Sequence, residues 1–121
     1  MHTIGNFIAG SFSPAHGGRT INDYNPATEA ILATIPRSQG EDVERAVNAA
    51  HSAQDEWSKL TLEQRANWLD KIADALEQKS EQIANTESRD TGKPIALARR
   101  VDAARSVSNF RFFAEFGRQQ T

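Results

Sequence analysis

The residues of this chain that could do chemistry are few and scattered. Among its 121 residues there is no cysteine, which removes disulfides, thiolate metal ligands and a sulfur nucleophile from this stretch. The three histidines, His2, His16 and His51, have no spacing that would bring two of them to one metal. Gly92-Lys93 invites a phosphate-loop reading, but Glu87 stands where that motif needs its first glycine and Pro94 where it needs Ser or Thr. No G-x-G-x-x-G occurs either. Glu81, Glu87 and Asp90 could be imagined as an acid pair, yet they read better as a solvated helix face. At 100° per residue Arg100, Arg111 and Arg118 fall on one helical line, where they could meet phosphate. Asp102 and Glu115 dilute that line, and the net charge is −2, which argues against a nucleic-acid partner. Asp102 lies on the opposite, apolar side of the same helix, near Ser106 and Asn109. A carboxylate on a face meant for burial is costly unless it finds a partner or a cation.

The elements that must position these groups divide in two. The first third reads as strands. Residues 6–10 alternate, with Phe7 and Ala9 on one face and Ile8 on the other. Ala15-His16-Gly17-Gly18 is a loop, and residues 21–24 and 30–35 are short extended runs joined by Asn25-Pro26-Ala27-Thr28, whose Asn and Pro favour a type I turn and hence a hairpin. From Ser38 the period becomes helical. Ser38-Gln39-Gly40-Glu41 fits a capping box, followed by a stripe of Val43, Ala46, Val47, Ala50, Ala53 and Trp57. Thr61-Leu62-Glu63-Gln64 is a second capping box, opening a helix with Ala66, Leu69, Ile72, Ala73 and Leu76 on one face. Trp57 and Trp68 are expected to anchor packing between these two helices. A third helix covers about 80–89, Gly92 ends it, and Pro94 starts a single long helix over 94–118. The expected fold class is therefore α+β: one or more short amino-terminal β-hairpins (about 6–36) followed by four α-helices (about 39–118), with no cofactor-binding sheet.

Phe110, Phe112, Phe113 and Phe116 spread over roughly 160° of that last helix, and nothing after them could cover so large an apolar surface. Hydrophobic residues make up 38% and mean hydropathy is −0.61, a modest supply for a core. Both features lead to the expectation that residues 1–121 open a larger enzyme and melt without a sharp transition alone. No apolar run reaches membrane-spanning length and no signal peptide is visible, so a soluble, cytoplasmic protein with no membrane partner is expected.

The ordered set Phe7-Ile8-Ala9-Gly10, Tyr24-Asn25-Pro26-Ala27-Thr28, Trp57, Arg65 and Asp90-Thr91-Gly92-Lys93-Pro94 resembles the amino-terminal quarter of an aldehyde dehydrogenase. The closing run Ser106-Val107-Ser108-Asn109-Phe110-Arg111-Phe112-Phe113-Ala114 is similar to the branch that oxidises 2-aminomuconic and 2-hydroxymuconic semialdehydes. The resemblance implies an oxidoreductase that uses NAD or NADP, with a cysteine nucleophile, a base glutamate and a cofactor site all downstream of Thr121. No catalytic or cofactor-binding residue is then expected here, and the segment alone is expected to be inactive. The implied partners are the remainder of the fold and, as in the family, a homodimer or homotetramer. The resemblance also implies a structural sodium or potassium ion held by the backbone carbonyls of Asp23 and Tyr24 and the carboxylate of Asp102, oxygen ligands suited to a hard cation. The competing reading of Asp102 is that it caps or pairs with an arginine. The alternative to an enzyme segment is a non-catalytic helical interaction module that pairs with full-length subunits through its aromatic face.

Overall fold

The computed structural model describes residues 2–120, and the chain forms two compact units, residues 1–56 and 57–121. In the first unit, β1 (His2–Thr3), β4 (Thr20–Tyr24) and β5 (Ile31–Pro36) make a three-stranded sheet in the order β1-β5-β4. β4 and β5 are the expected antiparallel hairpin. Its turn is held by Asn25, whose Oδ1 accepts from the Ala27 amide at 2.9 Å and whose carbonyl accepts from the Glu29 amide at 2.8 Å. β1 pairs in parallel with β5, His2 opposite Ala33; a strand of two residues carries no period for sequence to display.

A second hairpin, β2 (Asn6–Ile8) and β3 (Ser11–Ser13), changes the reading of residues 6–10. Ala9 and Gly10 both adopt positive φ, 51° and 80°, as a two-residue hairpin turn requires. Ala9 therefore leaves the strand, and Phe7 pairs with Phe12 across it, ring centroids 5.0 Å apart.

Helix α1 (Gly40–Ser58) begins at the expected place with a different cap. The Ser38 hydroxyl donates to Asn6 Oδ1 at 2.9 Å. Asp42 does the capping: its Oδ2 accepts from the Gln39 amide at 2.9 Å, and its Oδ1 accepts from the His16 amide at 2.9 Å. The carboxylate half of the expected box thus falls one residue later, and Asp42 is the buried anchor, 3% exposed, between the helix start and the Ala15–Gly18 loop. The apolar stripe of α1 is not covered: Val43 and Val47 are 59% and 60% exposed.

The second unit is helical. Thr61 Oγ1 accepts from the Gln64 amide while Gln64 Oε1 accepts from the Thr61 amide, so the expected capping box opens α2 (Leu62–Gln78). Helix α3 (Ser80–Thr91) ends at Gly92, whose φ of 74° is the left-handed closure anticipated for it. The final stretch departs from expectation. It is not one α-helix: α4 (Ile95–Leu97) runs into a π turn, Ala98–Ala103, before α5 (Ala104–Arg118). Ala98 and Ala103 are both buried in one cluster with Ala84 of α3. On an α-helix residues five apart diverge by about 140°, whereas i→i+5 bonding brings them to one side. The π turn lets two methyl groups sit on one neighbour.

Helices α2 and α5 pack through small residues. Ala66, Ala73, Val107 and Ala114 are buried. Among the described residues the buried apolar side chains of both units are alanines, with Val107 the exception, and no large side chain is fully enclosed. Trp57 and Trp68 are 38% and 50% exposed, and Lys71 Nζ lies 4.4 Å from the Trp68 ring centre.

Candidate functional site

Asp102, the acid singled out on geometry, finds a cation of the chain's own. The αL closure at Gly92 turns the backbone so that Lys93 follows α3 directly, and the Ser88 hydroxyl ties the Lys93 carbonyl at 2.6 Å. From that anchored position Lys93 Nζ donates to Asp102 Oδ2 at 2.6 Å and lies 3.4 Å from Glu87 Oε1. The three side chains are 29–34% exposed. The hydrogen bond to Asp102 raises the Lys93 pKa above its ordinary value, and Glu87 adds to the rise. The side-chain partner of Asp102 is thus a lysine, where the sequence suggested an arginine. The sequence carried one signal for this: an ordered glycine turn puts the lysine after Gly92 within reach of the next helix.

The other half of the expected ligand set lies in the first unit. Asp23 is opposite Ala33 in the hairpin, but Tyr24 is opposite Ile31, so Leu32 is an extra residue and the ladder slips at Asp23/Tyr24. Such bulges re-aim backbone groups. The Tyr24 ring is half exposed, and its hydroxyl accepts from Asn22 Nδ2 at 3.1 Å. Among the described residues no group of three or more His, Cys, Asp or Glu side chains converges as a metal site.

The arginine line resolves into ion pairs within the second unit. Arg118 Nη2 meets Asp70 Oδ2 at 2.6 Å and Asn67 Oδ1 at 2.8 Å, and its Nε lies 3.3 Å from Glu63. One heptad earlier Arg111 Nη2 meets Glu77 at 2.6 Å and Asp74 at 3.1 Å. Arg99 forks onto Glu81, its Nε 2.7 Å from Oε2, and that hydrogen bond lowers the Glu81 pKa to about 2. Arg100 is exposed. Phe112, Phe113 and Phe116 are 62%, 59% and 51% exposed, in contact with one another (Phe112 edge-on to Phe113 at 5.2 Å, stacked on Phe116 at 6.3 Å).

The described residues are thus two hairpins followed by alanine-cored helices, with an αL glycine before Lys-Pro. Residues 12–121 match the aldehyde dehydrogenase family, and the chain belongs to that family. It is 44% identical over 109 residues to the human and mouse proteins named 2-aminomuconic semialdehyde dehydrogenase, covering 90% of this chain and 22% of theirs. It is 38% identical over 110 residues to an acetaldehyde dehydrogenase of Pseudomonas aeruginosa, again 22% of that protein. The NAD+ complex of the Bacillus cereus aldehyde dehydrogenase superposes with a TM-score of 0.94 at 38% identity, over 99% of this chain and 25% of that one. The fold is that of an amino-terminal aldehyde dehydrogenase segment, and the chain spans between a fifth and a quarter of the length of these relatives. Among the described residues no helix is long and apolar enough to cross a membrane.

Proposed function

We infer that this chain is the amino-terminal framing layer of an NAD(P)-dependent aldehyde dehydrogenase that oxidises an aldehyde to the carboxylic acid, with a muconic semialdehyde as the substrate class. The names of the similar mammalian proteins support that class, and the NAD+ complex of a similar structure supports the cofactor. In this reading the chain's first partner is the remaining part of the same fold, and the intact protein is a cytoplasmic homodimer or homotetramer. The chain itself contributes no reacting group, having no cysteine to attack a carbonyl. Its task is to present exposed apolar faces to the cofactor-binding part.

The observation that carries this reading is the mismatch between core and surface. The buried side chains are almost all methyl groups, while Phe7, Phe12, Val43, Val47, Phe112, Phe113 and Phe116 stand more than half exposed.

The test joins this chain, after Thr121, to the downstream portion of the 2-aminomuconic semialdehyde dehydrogenase to which it is 44% identical. The expected chimera is soluble and reduces NAD+ with a semialdehyde at a rate comparable to the parent, while the 121-residue chain alone produces no NADH. A soluble chimera that binds cofactor but is inert would overturn the framing role.

A further inference from the structure

We propose that the solvent face of α3 is a self-complementary interface, on which a second copy of this chain lays its own α3 antiparallel. The inference does not rest on the family reading, and its failure would leave the framing role intact, because that role is scored by the chimera's activity.

Four observations carry it. An open groove of about 360 Å³ runs along α3, lined by half-buried Leu76 and Ile83 and by exposed Lys79, Gln82, Thr86 and Asp90. Lys79, Ile83, Thr86 and Asp90 follow one another at steps of four, three and four, the spacing of a helix–helix seam. That spacing reads the same in both directions. Two antiparallel copies therefore set Lys79 opposite the partner's Asp90 and Ile83 opposite the partner's Thr86, each contact made twice about a two-fold axis. Gln82 likewise comes opposite the partner's Glu87, a carboxylate that accepts from its amide. The two end charges are, thirdly, placed against their own helix. Lys79 is the N-cap of α3 and makes no side-chain cap, and Asp90 lies in the last turn, where the macrodipole disfavours a cation and an anion respectively. In the antiparallel pair each meets the end of the partner's helix that favours it. Fourthly, the chain offers these groups nothing of its own. Among the described residues of the second unit, Asp90 is the one Asp or Glu without an ion pair, and the side chains of Lys79, Gln82 and Thr86 make no hydrogen bond or ion pair. One helix of 12 residues from each copy makes an interface below about 1,200 Å². The pairing is therefore weak and reversible, and its exposed end charges are screened by salt.

The experiment follows the 121-residue chain and its Lys79→Glu and Asp90→Lys variants by sedimentation velocity at rising concentration, to about 1 mM, in low and high salt. Wild type is expected to pass from monomer to dimer as concentration rises and to dissociate in high salt. Either reversal alone sets two like-charge contacts in place of two opposite ones and should weaken dimerisation at least about tenfold. Both variants should keep the wild-type helical signal, because each new charge suits its own helix end. An equimolar mixture of the two restores both opposite-charge contacts in the mixed dimer and is expected to dimerise as wild type does. Phe113→Ser combined with Phe116→Ser should leave dimerisation in place. Wild type that stays monomeric throughout would overturn the proposal. So would reversals that associate like wild type, or a mixture of the two folded variants that stays monomeric. Dimerisation lost with Phe113→Ser and Phe116→Ser but indifferent to charge reversal would assign it to the aromatic face and equally overturn the proposal. If a reversal variant does not fold, salt dissociation of the wild-type dimer and its response to the two phenylalanine changes decide.

Discussion

Arg118 and Asp70 face each other at 2.6 Å across two helices, and the pair is one rung of a ladder. Glu63, Asn67, Asp70, Asp74 and Glu77 recur at three- and four-residue steps along α2, and Arg111 and Arg118, seven residues apart, engage them in reverse order. The helices are therefore antiparallel, with a polar edge beside a seam of Ala66, Ala73, Val107 and Ala114. Because the seam is built of methyl groups, register depends on the charged edge more than is usual for a helix pair. Arg118→Met should lower the unfolding midpoint by several degrees. Asp70→Asn added to it should cost much less than it does in wild type, a non-additivity that a double-mutant cycle by thermal unfolding reads directly.

The buried alanines, in the α2–α5 seam and in the cluster at the π turn, make a second expectation. Ala73 and Ala84 have no exposed surface, so Ala73→Leu or Ala84→Leu must force helices apart. Overpacking of this kind costs about 1–3 kcal/mol. Val43→Ala, at a site 59% exposed, should stay within about 0.5 kcal/mol of wild type. Urea unfolding of the three variants distinguishes a filled seam from a loose one.

Backbone devices at the helix ends should be measurable singly. Thr61→Ala removes one half of a reciprocal cap and should cost about 1 kcal/mol. Gly92→Ala puts a Cβ on a residue at φ 74° and should cost about 1–2 kcal/mol. It should also weaken the Lys93–Asp102 contact, because the turn that delivers the lysine is disturbed. Denaturant unfolding measures both costs.

Acid should destabilise the chain in two separable ways. Glu81 has a folded pKa of about 2, lowered from 4.5 mainly by its hydrogen bond from Arg99. Asp42 is lowered from 3.8, first by the Gln39 amide and next by the His16 amide. For a group whose folded pKa is depressed, the stabilisation is complete above the unfolded value and is lost as pH falls toward the folded one. Stability should therefore be level from neutrality to about pH 5 and decline through the carboxylate range toward pH 2. The Glu81 contribution is exposed, so high salt should shrink it. Asp42 is buried on two backbone amides, so its share should persist. Midpoints measured against pH for Glu81→Gln and Asp42→Asn, in low and high salt, check both signs.

Much of the scaffold was legible in the residues. The Thr61 box, the Asn-Pro hairpin and the Gly92 closure each depend on local chemistry that a few adjacent side chains fix. Three features were not legible, for identifiable reasons. The Ala9-Gly10 turn requires a left-handed alanine, which propensity disfavours and the hairpin imposes. The Asp42 cap draws on the His16 amide, 26 residues away. The π turn comes from burying Ala98 and Ala103 together against α3, a tertiary demand with no sequence period of its own. The exposed aromatic face at Phe112, Phe113 and Phe116 follows from helical spacing, whereas the ion pairs of Arg111 and Arg118 do not, because the acids that meet them sit on another helix.

That π turn acts as a one-residue phase shifter. Winding the same six residues as ordinary α-helix, with none removed, would turn all that follows, the Phe112–Phe116 cluster included, to another side of the axis. The direction in which the aromatic rings look is thus decided a full two turns before the first of them.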